Sequence, residues 1–346
     1  MTSKINVINP IEYSCWNELI LSNSNCSFFH SSNWAKVLSE SYKYTPLYFM
    51  MLRNDTLSAL IPFMEIDSKL TGKRAVALPF TDCCNPLYQD AEQFSRLMDC
   101  SIEYGARHSW KTLKMRTDAL FPSSYPPSSI FYGHVLKLSR NEEALFSTFR
   151  ESTRRNIKKA IKEDVKITIS DSMEAIRTFY RLNCITRRDH GIPPQPYRFF
   201  EKIHEHIISK GLGIVVLASC GTKSIAGAIY FHFGNTAIFK YGASDKHHQH
   251  LRANNYIMYE AIKWYCRGGY HSLHFGRTEP ENTGLRQFKI GWGTSEFAIN
   301  YYTYSIERRA FVPDTLNLTS YYNSLVRKIP LSLNKLAGSL LYRHVG

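Results

Sequence analysis

Residues 48–66 read YFMMLRNDTLSALIPFMEI, and residues 214–233 read IVVLASCGTKSIAGAIYFHF. Each is an apolar run, a polar turn and a second apolar run, the pattern of two strands joined tightly. Each also follows an amphipathic helical stretch, SSNWAKVLSESY before the first and PYRFFEKIHEHIISKG before the second. Laying SALIPFM on IAGAIYF gives an offset of about 167 residues, close to half of the 346-residue chain. A repeat of that size restricts the fold sharply. It predicts a duplicated α/β (α+β) domain.

Composition is consistent with two cores. The chain is 44% hydrophobic and 14% aromatic, too rich in ordering residues for a disordered protein. The formal net charge of +14 predicts a surface that attracts phosphates, nucleic acid or anionic lipid. The eight cysteines show no CxxC and no adjoining histidine ligand pattern, which fits free thiols in a reducing compartment. MTSKINVINPIEY lacks the features of a signal peptide, and no run approaches the roughly 18 apolar residues of a membrane span. A cytoplasmic protein is expected, in contact with the inner face of the membrane if the basic tail described below docks there.

Between the copies, ESTRRNIKKAIKEDVK places Arg154, Lys158 and Lys162 on one helical face and Ile157, Ala160 and Ile161 on the other. Further on, IAGAIYFHF and TAIFKYGAS read as a hairpin turning at Gly234 and Asn235, followed by a helix in RANNYIMYEAIKWYCRGG and a strand in YHSLHFG. GLRQFKIGWG reads as a glycine-rich loop around the end of that strand. From residue 317 onward there is no acid, while Arg327, Lys328, Lys335 and Arg343 alternate with leucines. Pro330 should divide this segment into two short amphipathic pieces able to dock on anionic membrane. Linear division gives domains at 1–145 and 146–310 and a basic tail at 311–346.

LPFTDCCNPL, RRNIKKAIKEDV, RRDHGIPPQPYRFF, RANNYIMYEAIKWYCRGGYHSLHFGR and GLRQFKIGWG, in that order, resemble the landmarks of the FemAB-like branch of the GNAT acyltransferase superfamily. The resemblance spans roughly residues 25–305. It implies two tandem GNAT-like domains, each with a mixed central sheet, with the acceptor in a cleft and transfer carried out mainly by the second. The implied activity moves an acyl or aminoacyl group onto an amine of a peptidoglycan or polysaccharide precursor, which can be lipid-linked. No tightly bound cofactor and no metal are implied. The donor is aminoacyl-tRNA or an acyl thioester, as acyl-coenzyme A or acyl carrier protein. The usual coenzyme A loop uses glycines for close approach to the pyrophosphate. The corresponding HLRANNYIM has none, so either the donor is not coenzyme A or side chains such as Arg252 hold its phosphates.

Amide formation from an ester or thioester needs a neutral amine, a stabilised oxyanion and a route for one proton, and no GxSxG signature is present to suggest a covalent intermediate. By resemblance, Lys289 is a functional cation with Phe288 packed beside it, Asp82 in PFTD lies near the acceptor amine, and Lys36 in SSNWAK contacts the acceptor. Arg277, at a predicted strand end, can bind a phosphate or carboxylate, or pair with Glu279 or Glu296. Tyr241 can orient the acceptor or relay a proton, or serve as a core tyrosine. Arg188 and Tyr197 fit a substrate-lining loop. The alternative is a non-catalytic double-GNAT module that binds tRNA or anionic lipid through the cationic helix and tail.

Overall fold

The computed structural model describes residues 4–119, 126–313, 326 and 329–345. By compactness the chain forms two units. One takes the described residues up to Phe131, returns at Ala298 and includes the last residues from Leu341; the other runs from Tyr132 to Phe297 and includes the C-terminal helix up to Leu340. These divisions depart from the linear cuts at 145/146 and 310/311, because compactness follows strand pairing rather than chain order.

The first unit contains β1 (Ile5–Ile8), α1 (Trp16–Leu21), α2 (Ser32–Tyr42), β2 (Thr45–Arg53), β3 (Thr56–Ser68), β4 (Gly72–Val76), α3 (Ala91–Arg107) and β5 (Thr112–Thr117). The chain then enters β6 (Ser129–Lys137). The second unit continues through α4 (Glu142–Thr148), α5 (Glu151–Lys162), β7 (Lys166–Ser170), α6 (Met173–Asp189), α7 (Tyr197–His206), β8 (Gly213–Cys220), β9 (Lys223–Phe233), β10 (Thr236–Ser244), α8 (Ala253–Arg267), β11 (Ser272–Thr278) and α9 (Thr283–Ile290). Strand β12 (Ser295–Ser305) pairs its later residues with β5, and β13 (Ala310–Val312) pairs with β12. Helix α10 (Leu331–Leu341) comes last.

The echo in the sequence is a duplication of backbone pairing. In β2–β3, Met50 faces Leu60 and Tyr48 faces Pro62; in β8–β9, Leu217 faces Gly227 and Val215 faces Ile229, all displaced by 167. Even the bulge repeats, between Met51 and Leu52 in one and Ala218 and Ser219 in the other. The parallel pair also recurs, Ala75 and Val76 on Leu113 and Lys114 in β4–β5, and Ala237 and Ile238 on Leu273 and His274 in β10–β11. Strand order is β1-β2-β3-β4-β5-β12 in the first unit and β7-β8-β9-β10-β11-β6 in the second. The turn at Asn54 and Asp55 has both residues at positive φ, 50° and 58°, which suits the twist of a two-residue hairpin.

Each sheet packs a long helix on one face. In the first unit Leu97 and Met98 of α3 meet Phe49, Phe63, Trp110 and Met115. In the second, Ile257, Ala261 and Tyr265 of α8, with Ile157 and Ala160 of α5, meet Val216, Ala228, Tyr230 and Leu273. The inward line of α5 is Thr153, Ile157 and Ala160, at i, i+4 and i+7. Ile161, expected to face the core, falls one residue beyond that line and is 50% exposed. Among the described residues, no helix is long and apolar enough to cross a membrane.

Candidate active site

In the second unit β10 and β11 run parallel for three residue pairs only, from Thr236 opposite Ser272 to Ile238 opposite His274. Both strands then carry a bulge, β10 between Phe239 and Tyr241 and β11 between His274 and Arg277, where Gly276 sits at φ +68°. Bulges redirect backbone and side chains at the rim of a sheet. Beyond them β10 reaches Ser244 and turns through residues 246–251 into α8.

That turn is pinned by Asp245. Its carboxylate accepts from Lys223 Nζ at 3.0 Å and from the His247 backbone amide and His248 Nδ1, both at 3.1 Å. The Lys223 hydrogen bond leads in lowering its pKa to about 2. Arg252 follows at φ +57°, an uncommon conformation for a side-chain-bearing residue, and makes no side-chain cap on α8. The 15-residue helix therefore starts without a side-chain cap, the Asn255 amide donating to the Arg252 backbone carbonyl at 3.0 Å. Its first residues open on a cavity of about 160 Å³, with Ser244, Asp245, Arg252 and Asn254 on the polar side and Ile225, Ala226 and Phe288 on the apolar side.

Phe288 and Lys289 are brought together on a helix. The expected loop over GLRQFKIGWG is corrected, because Asn282 caps α9 by accepting from the Leu285 amide at 3.1 Å. Gly284 stands in open space in its first turn, Gly291 lets the helix end approach Thr153, and only Gly293, at φ +71°, serves a turn that favours glycine. Phe288 projects to the cavity and packs at a steep angle on buried Trp292, with ring centroids 6.1 Å apart. Lys289, one residue on, points inward and is 3% exposed. Its ammonium donates to the carbonyls of Gly276 and Arg277, both at 2.9 Å, and so serves backbone oxygens at the β11 bulge.

A charged network lies alongside. Arg286 grips Glu296 with two hydrogen bonds of 2.6 Å and stacks its guanidinium 4.0 Å from the Tyr132 ring centroid. The Arg286 hydrogen bond holds the Glu296 carboxyl below its ordinary range. His134 Nε2 is 3.0 Å from Glu296 Oε2, the same oxygen that accepts from Arg286 Nε. Burial, then the charge of Lys289, pushes the His134 pKa down, so this imidazole is neutral at physiological pH. Nothing in the spacing of residues 134, 286 and 296 marks them as neighbours; β6 and β12 bring them to α9 only in the folded unit. Arg277 pairs with Glu279 at 3.4 Å, while Glu296 belongs to Arg286.

The other candidates stand in separate surroundings. Tyr241 is half-buried, edge-on to Phe199 and Phe200 of α7 at 6.3 and 5.7 Å. Arg188 is in the last turn of α6. Tyr197 begins α7 and packs on Tyr180 at 5.0 Å, in a hollow that shares no lining residue with the Phe288 cavity. In the first unit Lys36 lies on α2, and the Asp82 backbone carbonyl accepts from the Tyr301 hydroxyl at 3.1 Å.

Residues 147–289 match the acetyltransferase (GNAT) domain family. Among solved structures the chain is similar to FemX, with 14% identity and a TM-score of 0.68 over 86% of this chain and 96% of that one. It is also similar to a tandem GNAT protein from the clavulanic acid biosynthesis pathway (8%, 0.58, 91% and 100%) and to L-PGS from Bacillus licheniformis (9%, 0.53, 90% and 94%). A search among curated proteins finds no match. The chain thus has the fold of these structures, and its second unit carries an acetyltransferase (GNAT) domain. Within the GNAT class the fold is the FemAB-like one, shared with FemX over most of both chains.

Proposed function

We propose that the chain transfers an acyl or aminoacyl group directly from an activated donor to an amine of a cell-envelope glycan precursor. The observation that carries this reading is the uncapped start of α8, which faces a cavity closed on its apolar side by Phe288. Helix dipole and Arg252 there favour an anionic donor group, and Phe288 offers a surface for the donated acyl end. The FemAB-like resemblance supports the acceptor class.

In the reaction the amine nitrogen attacks the donor carbonyl, a C–N bond forms, and the ester C–O or thioester C–S bond breaks. The proton lost by nitrogen ends on the leaving oxygen or sulfur. Tyr241 serves as relay or acceptor guide, and Asp82 holds or deprotonates the acceptor ammonium. Lys36, Arg188 and Tyr197 contact the acceptor, and Arg277 binds its phosphate or carboxylate. Lys289 is a positioning residue: by holding the Gly276 and Arg277 carbonyls it sets the β11 bulge from which Arg277 projects.

HLRANNYIM offers no glycine for close approach to pyrophosphate, which favours aminoacyl-tRNA over a coenzyme A thioester. Calorimetry with acetyl-coenzyme A and with aminoacyl-tRNA tests this. We expect weak thioester binding and tRNA binding that falls steeply with salt. Tight, salt-insensitive thioester binding assigns the cavity to acyl-coenzyme A instead, and binding of neither donor removes the transfer reading.

A further inference from the structure

Helix α10 is inside out. Its buried positions are Asn334 and Gly338, 1% exposed in the case of Asn334, while Leu333, Leu336 and Leu340 stand 56%, 56% and 61% exposed. At 100° per residue those three leucines form one stripe on the side opposite Asn334 and Gly338. The helix cannot rotate to hide them. A Cβ on Gly338 would fall 2.0 Å from the Pro194 carbonyl oxygen, so the glycine face is pressed onto the Pro193–Pro194 segment. The Asn334 amide is buried there without a hydrogen-bond partner among the described residues. A helix facing water on that side would carry the reverse pattern.

Beside the stripe, Leu336 and Lys335 form one wall of an open hollow of about 710 Å³, with Arg177, Arg181, Tyr180 and Tyr197 opposite. Lys335 Nζ lies 5.5 Å from the Tyr180 ring centroid. The acid in the hollow, exposed Glu174, reaches Arg177 at 3.5 Å and Arg181 at 4.0 Å, leaving an excess of positive charge. We propose that this face docks on an anionic phospholipid bilayer. The leucine stripe enters the acyl boundary, and a headgroup phosphate sits among Arg181, Lys335 and Arg177. Charge selects the occupant: the chain carries net +14 and has no acid after residue 316, which suits a negatively charged surface. The inference uses no residue of the α8 cavity and so does not depend on the donor, while Tyr197, given above to the acceptor, lines this same hollow.

Flotation of the full chain with phosphatidylcholine vesicles, with and without phosphatidylglycerol, is the test. We expect at least about tenfold more binding to the anionic vesicles, weakened by salt. The triple variant Leu333→Glu, Leu336→Glu, Leu340→Glu should lose about tenfold or more, since it replaces the inserting side chains with like-charged ones. Arg181→Ala with Lys335→Ala should lose about fivefold for each cation. The leucines and Arg181 are exposed and Lys335 is half-buried with its ammonium at the rim of the hollow, so both variants are expected to keep a cooperative melting transition close to the parent's. Absence of binding to anionic vesicles, or equal flotation of the leucine variant, overturns the proposal. So does a dimer that the leucine variant disrupts without vesicle binding, which assigns the face to a second copy. A tRNA affinity lost in the Arg181/Lys335 variant without vesicle binding assigns the hollow to nucleic acid.

Discussion

The two units share a pairing pattern and differ where a helix begins. Ala91 opens α3 and Ala253 opens α8 at equivalent places, one residue after Asp90 and Arg252. Asp90 is extended and its carboxylate accepts from the Gln93 amide at 2.8 Å, filling its own helix N-terminus with a built-in anion. Arg252 is left-handed, places a cation there and makes no side-chain cap, so the Asn255 amide turns to the Arg252 backbone carbonyl at 3.0 Å. The preceding strand differs too, five residues in β4 against nine in β10. One copy fills this helix end with its own carboxylate; in the other, where we place the donor, no side chain caps it.

The largest expected effect comes from erasing that difference. Arg252→Asp places in the second unit the residue type that caps the first. It should lower donor affinity about a hundredfold, by removing a cation and placing an anion in its site, while stability changes by less than about 1 kcal/mol, because the left-handed backbone at 252 lacks the extended geometry in which Asp90 caps. Calorimetry with the productive donor and a melting curve read both effects. Donor affinity that survives the change would move the donor away from α8.

Next in size is Lys289→Ala. Two partly buried carbonyls lose a charged donor, so about 2 kcal/mol of stability should go, together with a turnover loss of about a hundredfold. Lys289→Arg should rescue only in part, because a planar fork cannot occupy the same pair of sites. Reduced turnover at an unchanged melting temperature would mean that the ammonium acts on substrate rather than on the bulge.

A smaller effect is acid sensitivity confined to the second unit's network. His134 has a lowered folded-state pKa, so its contribution is present above the unfolded value near about 6.5 and is lost as pH falls below it. Glu296, also lowered, contributes above its unfolded value and loses that stability as pH falls through the folded one. Both favour the folded state at neutral pH. Melting temperature against pH should therefore decline from about pH 6.5 downward, and His134→Gln should remove the first part of the decline. A variant with the same profile as the parent would exclude His134 as its source.

The smallest is Asp90→Ala, which should cost about 1 kcal/mol of stability as a lost cap and leave donor affinity unchanged. A change in donor affinity would contradict the division of labour between the copies.

The hairpins were legible because strand pairing imprints period and turn chemistry on adjacent residues. The tight turn at Asn54–Asp55 and the glycines at 221 and 234 are local necessities of short hairpins. The helix over residues 253–267 was legible for the same reason. Helix α9 was not, because Gly284 and Gly291 look like turn residues until their surroundings are known: one faces open space and the other faces Thr153 of a helix distant in sequence. The inward turn of Ile157 was visible in the 3.6-residue period, while the outward turn of Ile161 depended on where α5 meets its neighbours.

What the sequence by itself determined is the duplicated α/β frame, the mixed order of its strands and the pairing of Phe288 with Lys289 on adjacent positions. Adjacency and periodicity carry that information, and both are properties of the chain. Tertiary structure alone decided which of the two side chains meets the cavity and which is buried against β11, since that depends on the rotation of α9 over the bulge. It also decided that His134, Arg286 and Glu296 share one network, and that the leucines of α10 face outward while Asn334 is buried. Burial and the orientation of a cation are set by what packs against each residue, and those partners come from segments tens to hundreds of residues away.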